Sequence, residues 1–137
     1  LFRAVRLSGS PLDVAAGLAM LVLVSEPDIY SRLEARAQTL LRGLSERAAA
    51  AGVPFTSNCV GGMFGCFFNT EERITRYSQV MAGNLDHFQT FFHTMLDNGV
   101  YLAPSAYEAG FISAAHGDRE IQLTLDAAEK AFDKIAS

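Results

Sequence analysis

The chain has 137 residues, of which half are hydrophobic, and it carries a formal charge of −4 at neutral pH. This length is sufficient for one compact domain with a hydrophobic core. Because the balance is acidic and the arginines are isolated, nucleic acid and anionic membrane surfaces are not expected as partners. No apolar run is long enough to be a membrane span of about 20 residues.

The first predicted element is a helix that begins at the phrase Ser10-Pro11-Leu12-Asp13 and runs to about Val24. Ser10 is the expected N-cap, Pro11 suits the first helical position, and Asp13 is placed to close a capping box. Residues 14–24 superficially resemble the apolar part of a signal peptide. An acidic residue and a proline precede them where basic residues should be, so we predict a buried helix.

A second helix is predicted to start after Ser25-Glu26-Pro27-Asp28 and to end at Gly52, because apolar residues recur in it at helical spacing. Residues 53–69 then predict a hairpin of two short strands joined by Gly61-Gly62. Residues 71–83 give no clear signal.

Asn84 is the expected N-cap of a third helix, whose stop is Gly99. Val100–Ala103 and Phe111–Ala114 are candidate short strands on either side of a loop. Asp118 is predicted to cap a last amphipathic helix. Helices clustered beside a small, mainly antiparallel sheet indicate a single α+β domain over residues 1–137.

The lysine content limits the chemistry that the chain can perform. Its only lysines, Lys130 and Lys134, lie one turn apart on the last predicted helix, on the flank expected to face solvent. A Schiff-base mechanism needs a lysine that is desolvated or beside another cation. Any imine chemistry therefore requires a lysine from elsewhere.

The histidines and cysteines do not form a metal site. His87 and His93 are six residues apart, which places them on different faces of a helix. Cys59 and Cys66 do not form a CxxC pair and have glycine and bulky hydrophobic neighbours. They are interpreted as inert core cysteines of a reducing compartment, which favours the cytoplasm.

Glu108 is the only formal charge between Gly99 and Gly117. Burying an ionised carboxylate in such apolar surroundings costs several kcal/mol unless a cation or hydrogen-bond donors compensate. One interpretation is a structural glutamate paired with an arginine. The other is a site carboxylate near a ligand, flanked by Ser105 and Gly110 in a loop between two strands, where functional residues tend to lie.

Arg6 is the second notable polar residue, because it lies just before a predicted helix N-terminus. A cation and free backbone donors at this place could together hold an anion. The alternative is a surface arginine near a chain end.

The sequence resembles the C-terminal domain of glutamate-1-semialdehyde 2,1-aminomutase, a fold-type-I pyridoxal-phosphate (PLP) enzyme of the class III aminotransferase type. The matching phrases are LSGSP and AAGLA within residues 7–19, VGGMFGCFF at 60–68, and FFHTMLDNGVYLAPSAYEAGFISAAH at 91–116. Other class III aminotransferases share the architecture but not the APSAYEAGF wording.

The resemblance implies a homodimeric isomerase of porphyrin biosynthesis that converts glutamate-1-semialdehyde to 5-aminolevulinate by moving an amino group within one molecule. The cofactor would be PLP, held by a large domain that this chain lacks, so none is expected to be covalently bound here. The expected partners are that large domain, the small-molecule substrate and a second subunit. Because the chain begins at Leu1 rather than Met, we expect a fragment.

By resemblance, Glu108 matches the family's active-site glutamate, and Ser105 is expected beside the substrate. Arg6 stands where the family has a threonine that reaches the cofactor phosphate of the neighbouring subunit, and Ser8 follows in the same motif. Arginine can also bind phosphate, although it is longer than threonine. Val5 stands where the family has a glycine. Two alternatives remain open: a non-catalytic binding or dimerisation module derived from this fold, and a related class III aminotransferase.

Overall fold

The computed structural model describes residues 9–137, so the predictions for Val5, Arg6 and Ser8 fall outside the described residues. Within 9–137, five helices and three strands form an α+β fold, which confirms the predicted class. Their bounds are α1 Pro11–Val24, α2 Ile29–Ala50, β1 Thr56–Val60, β2 Met63–Phe67, α3 Tyr77–Met81, α4 Leu85–Asp97, β3 Gly110–Phe111 and α5 Asp118–Ala136.

Helix α1 has the predicted bounds, but two predictions about it are wrong. Ser10 has the extended backbone of an N-cap, yet its side chain makes no capping hydrogen bond, so the capping box with Asp13 does not form. None of the residues in α1 is buried, although nearly all of them are apolar. The physical reason is that the described core is built by α2, α4, α5 and the sheet, and none of these elements covers α1.

The core lies where α5 packs against α2 on one side and against α4 on the other. Gly43 of α2 permits close contact, because a Cβ at this position would lie 2.7 Å from the methyl groups of Leu125. On α5, the residues that helical spacing predicts to face inward are Ile121, Leu125, Ala128, Phe132 and Ile135. The first four are buried and Ile135 is partly buried against the core. The two lysines of α5 are exposed, as predicted.

Aromatic rings fill the centre of this core. The Phe132 side chain is fully buried, and its ring centroid lies 5.1 Å from that of Phe91 and 5.4 Å from that of Phe55. The Phe68 ring contacts the same group. These tilted and edge-to-face arrangements are the favourable geometries for aromatic pairs.

The predicted hairpin is confirmed, and its two faces have different roles. β1 and β2 are antiparallel, with Asn58 opposite Gly65, and Gly61 takes the positive φ of 56° that the two-residue turn requires. Alternate residues point to opposite faces of a sheet. Phe64 and Cys66 therefore join the core, while Gly65 lies on the outer face.

Helix α4 begins as predicted, because the Asn84 side chain accepts a hydrogen bond from the His87 N–H at 3.0 Å. Its last residue is Asp97, and the chain leaves the helix direction at Gly99, which has a positive φ of 84°. The Val100 N–H then donates to the Met95 carbonyl at 2.9 Å. The Val100 N–H thus satisfies a carbonyl at the end of α4 and is not available for pairing in a sheet. The strand predicted at Val100–Ala103 does not form.

The last strand is shorter than predicted. β3 has only two residues, and the chain turns away after Ile112, whose N–H donates to the Gly62 carbonyl at 2.8 Å. The N-cap of α5 is Gly117 rather than Asp118. The carboxylate of Glu120 replaces the missing cap by accepting the Gly117 N–H at 2.9 Å.

Among the helices of residues 9–137, none combines the length and the apolar character needed to cross a membrane.

The stretch that gave no sequence signal, residues 71–83, contains α3, which is only five residues long. The Gln79 side chain holds its start by accepting the N–H groups of Thr75 and Arg76, at 2.9 Å and 3.0 Å.

Candidate functional site

An open cleft of about 280 Å³ lies on the outer face of the hairpin. Its floor consists of outward-facing strand residues, among them Asn58, Gly65 and Phe67. Because Gly65 has no side chain, the ring of Phe67 leans over it. The lining is mostly apolar, and clefts of this kind with a few polar groups are typical of small-molecule sites.

The loop between α4 and β3 forms one wall of this cleft and carries Glu108. Ser105 shapes the loop: its hydroxyl oxygen accepts the Tyr107 N–H at 3.2 Å, and its carbonyl accepts the Glu108 N–H, also at 3.2 Å. This compact turn fixes the backbone on which the carboxylate stands. Ser105 itself does not line the cleft, so its predicted place beside a substrate stays a prediction.

Glu108 is exposed, and among residues 9–137 it makes no ion pair with a basic side chain. The interpretation of a buried or half-buried glutamate held by an arginine is therefore wrong for the described part of the chain. A carboxylate exposed at the edge of an apolar cleft can accept hydrogen bonds from a ligand. The geometry agrees with a ligand-facing residue, while a catalytic role for Glu108 stays a prediction.

Gly110 anchors the loop by close packing rather than by flexibility. It pairs with Phe64 across the sheet, and a Cβ on Gly110 would overlap the Phe64 ring. Its φ is not in the left-handed region, so any residue could adopt its backbone conformation. Glycine is required here because the Phe64 ring leaves no room for a side chain.

Two residues of α3 complete the cleft and were not identified from the sequence. Tyr77 and Val80 form the wall that faces the Glu108 loop. A helix of five residues leaves too little periodicity to be found from sequence. The strand residues that form the floor of the cleft could have been identified from the sequence, because TSNCV and MFGCF alternate between core-facing and outward-facing residues.

The described chain does not bring a lysine to this cleft. Lys130 and Lys134 are both on α5, and the Lys130 ammonium group donates a hydrogen bond to Asn98 Oδ1 at 2.8 Å. Within residues 9–137, the side chains that line the cleft include no basic one. The predicted phosphate contacts, Arg6 and Ser8, lie outside the described residues.

The cysteines and histidines give no second site. Burial raises the pKa of the Cys66 thiol to about 12, which keeps it protonated and unreactive at neutral pH. Both cysteines are free. Over residues 9–137, no group of three or more histidine, cysteine or acidic side chains is arranged to hold a metal ion.

Comparison with known proteins finds structural similarity without a matching family model. An omega-transaminase from Sphaerobacter thermophilus superposes over 96% of this chain with a TM-score of 0.73 and 19% sequence identity. A transaminase with PLP bound superposes over 99% of the chain with a TM-score of 0.72 and 20% identity.

The matched region is only a part of each of these proteins, because this chain covers 30% of the length of either transaminase. At these identities the similarity establishes a shared architecture. The chain therefore has the fold of somewhat less than one third of a transaminase.

Proposed function

We propose that this chain is the C-terminal part of a PLP-dependent glutamate-1-semialdehyde 2,1-aminomutase, which forms 5-aminolevulinate by intramolecular amino transfer in tetrapyrrole biosynthesis. The sequence support is the resemblance of the Glu108 loop, APSAYEAGF, to that family. The structural observation that carries the proposal is the exposed carboxylate of Glu108, unpaired among residues 9–137, at the wall of an apolar cleft.

The proposed role of Glu108 is to bind the amino group that moves during the reaction. A carboxylate beside apolar walls attracts a cationic ammonium group and accepts its hydrogen bonds, and such charge-assisted bonds are stronger than neutral ones. Among residues 9–137, no side chain that lines the cleft offers a cation for the substrate's own carboxylate. In the proposal, that contact comes from residues outside this range.

The described residues alone do not fit PLP as a covalently bound cofactor. Neither lysine reaches the cleft, and no basic side chain from the described part of the chain lines it. When bound in the complete enzyme, PLP supplies the amino-group chemistry. In the proposal, the lysine and most ligands of the cofactor belong to a large domain that precedes residues 1–137, and the complete enzyme is a homodimer.

Two other functions compete with this proposal. A related class III aminotransferase would have the same architecture, and both structural neighbours are transaminases. A non-catalytic binding or dimerisation module would have the fold without the chemistry. The three differ in what they do with glutamate-1-semialdehyde.

The activity test uses the complete gene product that contains residues 1–137, supplied with glutamate-1-semialdehyde and no second amino donor or acceptor. An aminomutase forms 5-aminolevulinate under these conditions. A transaminase turns over only when an amino donor or acceptor is added. A non-catalytic module shows no turnover with or without these additions. The 137-residue chain alone is expected to be inactive and to leave added PLP with the absorption spectrum of the free cofactor. A stoichiometric spectral change on the isolated chain would contradict the proposal.

The role of Glu108 is tested by Glu108→Gln in the same complete protein, with Glu71→Gln as a matched control at another exposed glutamate. Loss of a hydrogen bond to a charged group predicts a fall in kcat/KM of about 10- to 100-fold for Glu108→Gln. Thermal stability should be unchanged in both variants. Normal kinetics of Glu108→Gln, with or without a large loss of stability, would contradict a role of Glu108 in the reaction.

A further inference from the structure

The wall of the cleft that faces the Glu108 loop is the short helix α3, and burial in the core does not hold it in place. Tyr77 and Val80 of this helix line the cleft, but none of its five residues is buried. Helices of globular proteins are stabilised mainly by packing of an apolar face, and a helix of this length is not stable by itself. Other contacts must therefore fix this wall.

Side-chain amides supply these contacts. Among residues 9–137, no backbone-to-backbone hydrogen bond joins residues 71–83 to another helix or strand. Instead, the amide of Asn58 on β1 donates to the Ile74 carbonyl at 2.8 Å. The amide of Asn69, which follows β2, donates to the Gln79 carbonyl at 2.7 Å. The chain is thus attached to the hairpin both before α3 and within it.

The Gln79 side chain connects these two points of attachment. Its Oε1 atom accepts the N–H groups of Thr75 and Arg76, at 2.9 Å and 3.0 Å, and its Nε2 atom donates to the Arg73 carbonyl at 3.4 Å. A glutamine that only capped the helix would need the Arg76 N–H alone, because Arg76 is the N-cap. The additional bonds hold the residues before α3 against its first turn.

We propose that Gln79 is a positioning residue for the reaction: through these bonds it holds Tyr77 and Val80 at the place where they contact the bound substrate. Gln79 does not itself line the cleft, so it acts through the two residues that do. The inference rests on the proposed function in one respect, namely that this cleft is where the substrate binds.

A displaced wall weakens substrate binding and leaves the reacting groups unchanged. Loss of the Gln79 side chain should therefore raise KM and leave kcat nearly the same. A residue that only supports the fold behaves differently, because its loss lowers stability without a selective effect on KM. The combination of KM, kcat and stability distinguishes the two roles.

The kinetic test compares Gln79→Ala with Gln79→Glu in the complete gene product, with glutamate-1-semialdehyde as the substrate. Glutamate keeps an acceptor oxygen for the two N–H groups, whereas alanine removes it. Gln89→Ala is the matched control, because Gln89 is an exposed glutamine on α4 that does not line the cleft. We expect Gln79→Ala to raise KM about 10-fold, with kcat within about twofold and Tm within about 2 °C of the original protein. Gln79→Glu should keep most of the original KM, and Gln89→Ala should change neither constant.

Hydrogen exchange measures the same contact without any activity. In Gln79→Ala the amides of Thr75 and Arg76 lose their acceptor, so they should exchange at least about 10-fold faster than in the original protein. Gln79→Glu should keep the slow exchange. Equal exchange in the original protein and in Gln79→Ala would overturn the proposal, whatever reaction the protein catalyses.

Two kinetic results would also overturn the proposal. One is an unchanged KM in Gln79→Ala. The other is a large loss of thermal stability or a failure to fold in this variant, which would assign Gln79 to the support of the domain.

The unaltered protein keeps this inference separate from the proposed function. If it has no aminomutase activity, the proposed function is wrong before any variant is made. The same KM comparison then uses the amino donor of a transaminase, and in a protein without turnover the exchange measurement decides whether Gln79 holds the wall.

Discussion

Gly110 and the Phe64 ring are in such close contact that the ring occupies the place of a Cβ on Gly110. The two residues are also partners in the sheet, where β3 joins β2. This contact fixes the end of the loop that carries Glu108. The position of the candidate site therefore depends on one small residue beside one large one.

Gly110→Ala is expected to lower the free energy of unfolding by about 1–3 kcal/mol, because it adds a methyl group to a filled space. Urea unfolding followed by circular dichroism measures the change. In a Phe64→Leu background the same substitution should cost less, since the ring is gone. An equal cost in both backgrounds would mean that the contact with Phe64 is not the cause.

Phe132→Ala should be one of the most damaging substitutions in the chain. The side chain has no exposed surface and lies among the rings of Phe55, Phe68 and Phe91. Truncating a fully buried phenylalanine costs about 3–5 kcal/mol in unfolding free energy. Leu123→Ala, at an exposed position on the same helix, should change it by less than about 0.5 kcal/mol. Similar losses in both variants would contradict this core.

Asn84→Ala is expected to reduce the unfolding free energy by about 1 kcal/mol, because the His87 N–H loses its acceptor at the start of α4. Asn84→Asp keeps an acceptor oxygen at the same place and should retain most of the stability. Thermal unfolding of the three proteins checks the difference. If alanine and aspartate behave alike, the cap does not stabilise α4.

Glu120 should make the stability of α5 depend on pH. Hydrogen bonds from its own N–H and from the Gly117 N–H lower the pKa of this carboxyl below its usual value. A lowered folded-state pKa contributes stability above the unfolded pKa of about 4.3, and this contribution disappears as pH falls through the folded value. The difference in stability between the original protein and Glu120→Gln should be present near pH 7 and shrink progressively as the pH is lowered below about 4.3. A difference that persists in acid would exclude the ionised cap.

Cys66 should resist alkylation in the folded chain at neutral pH, since burial raises the pKa of its thiol to about 12. The thiolate is the reactive species, so labelling should become rapid only after unfolding in urea. Rapid labelling of Cys66 in the folded protein would show that this thiol is accessible.

Elements with local signals could be predicted from the sequence. Asn84 and Gly99 bracket α4 through contacts within a few residues, and Gly61 allows the tight turn of the hairpin. The single α+β class followed from these elements. The sequence also singles out the APSAYEAGF loop, whose Glu108 lines a cleft in the structure, while a functional role for Glu108 stays a prediction.

Features that depend on distant partners could not be predicted. Val100–Ala103 has the composition of a strand, but the Val100 amide is used by the end of α4. The apolar run in α1 predicts burial without specifying which part of a protein provides the cover. The exposure of Glu108 likewise depends on which residues fold around its loop, and α3 was too short to leave a pattern.

The division of the sheet into a core face and a cleft face has a practical consequence for redesign. Phe64 and Cys66 tie the hairpin to the core, whereas Asn58 and Phe67 line the cleft from the other side. The shape and polarity of the cleft can therefore be altered through a library at the outward positions and at the exposed loop residue Tyr107 without repacking the interior. Gly110 has to be held constant in such a library, because a side chain at this position would overlap the core-facing ring of Phe64.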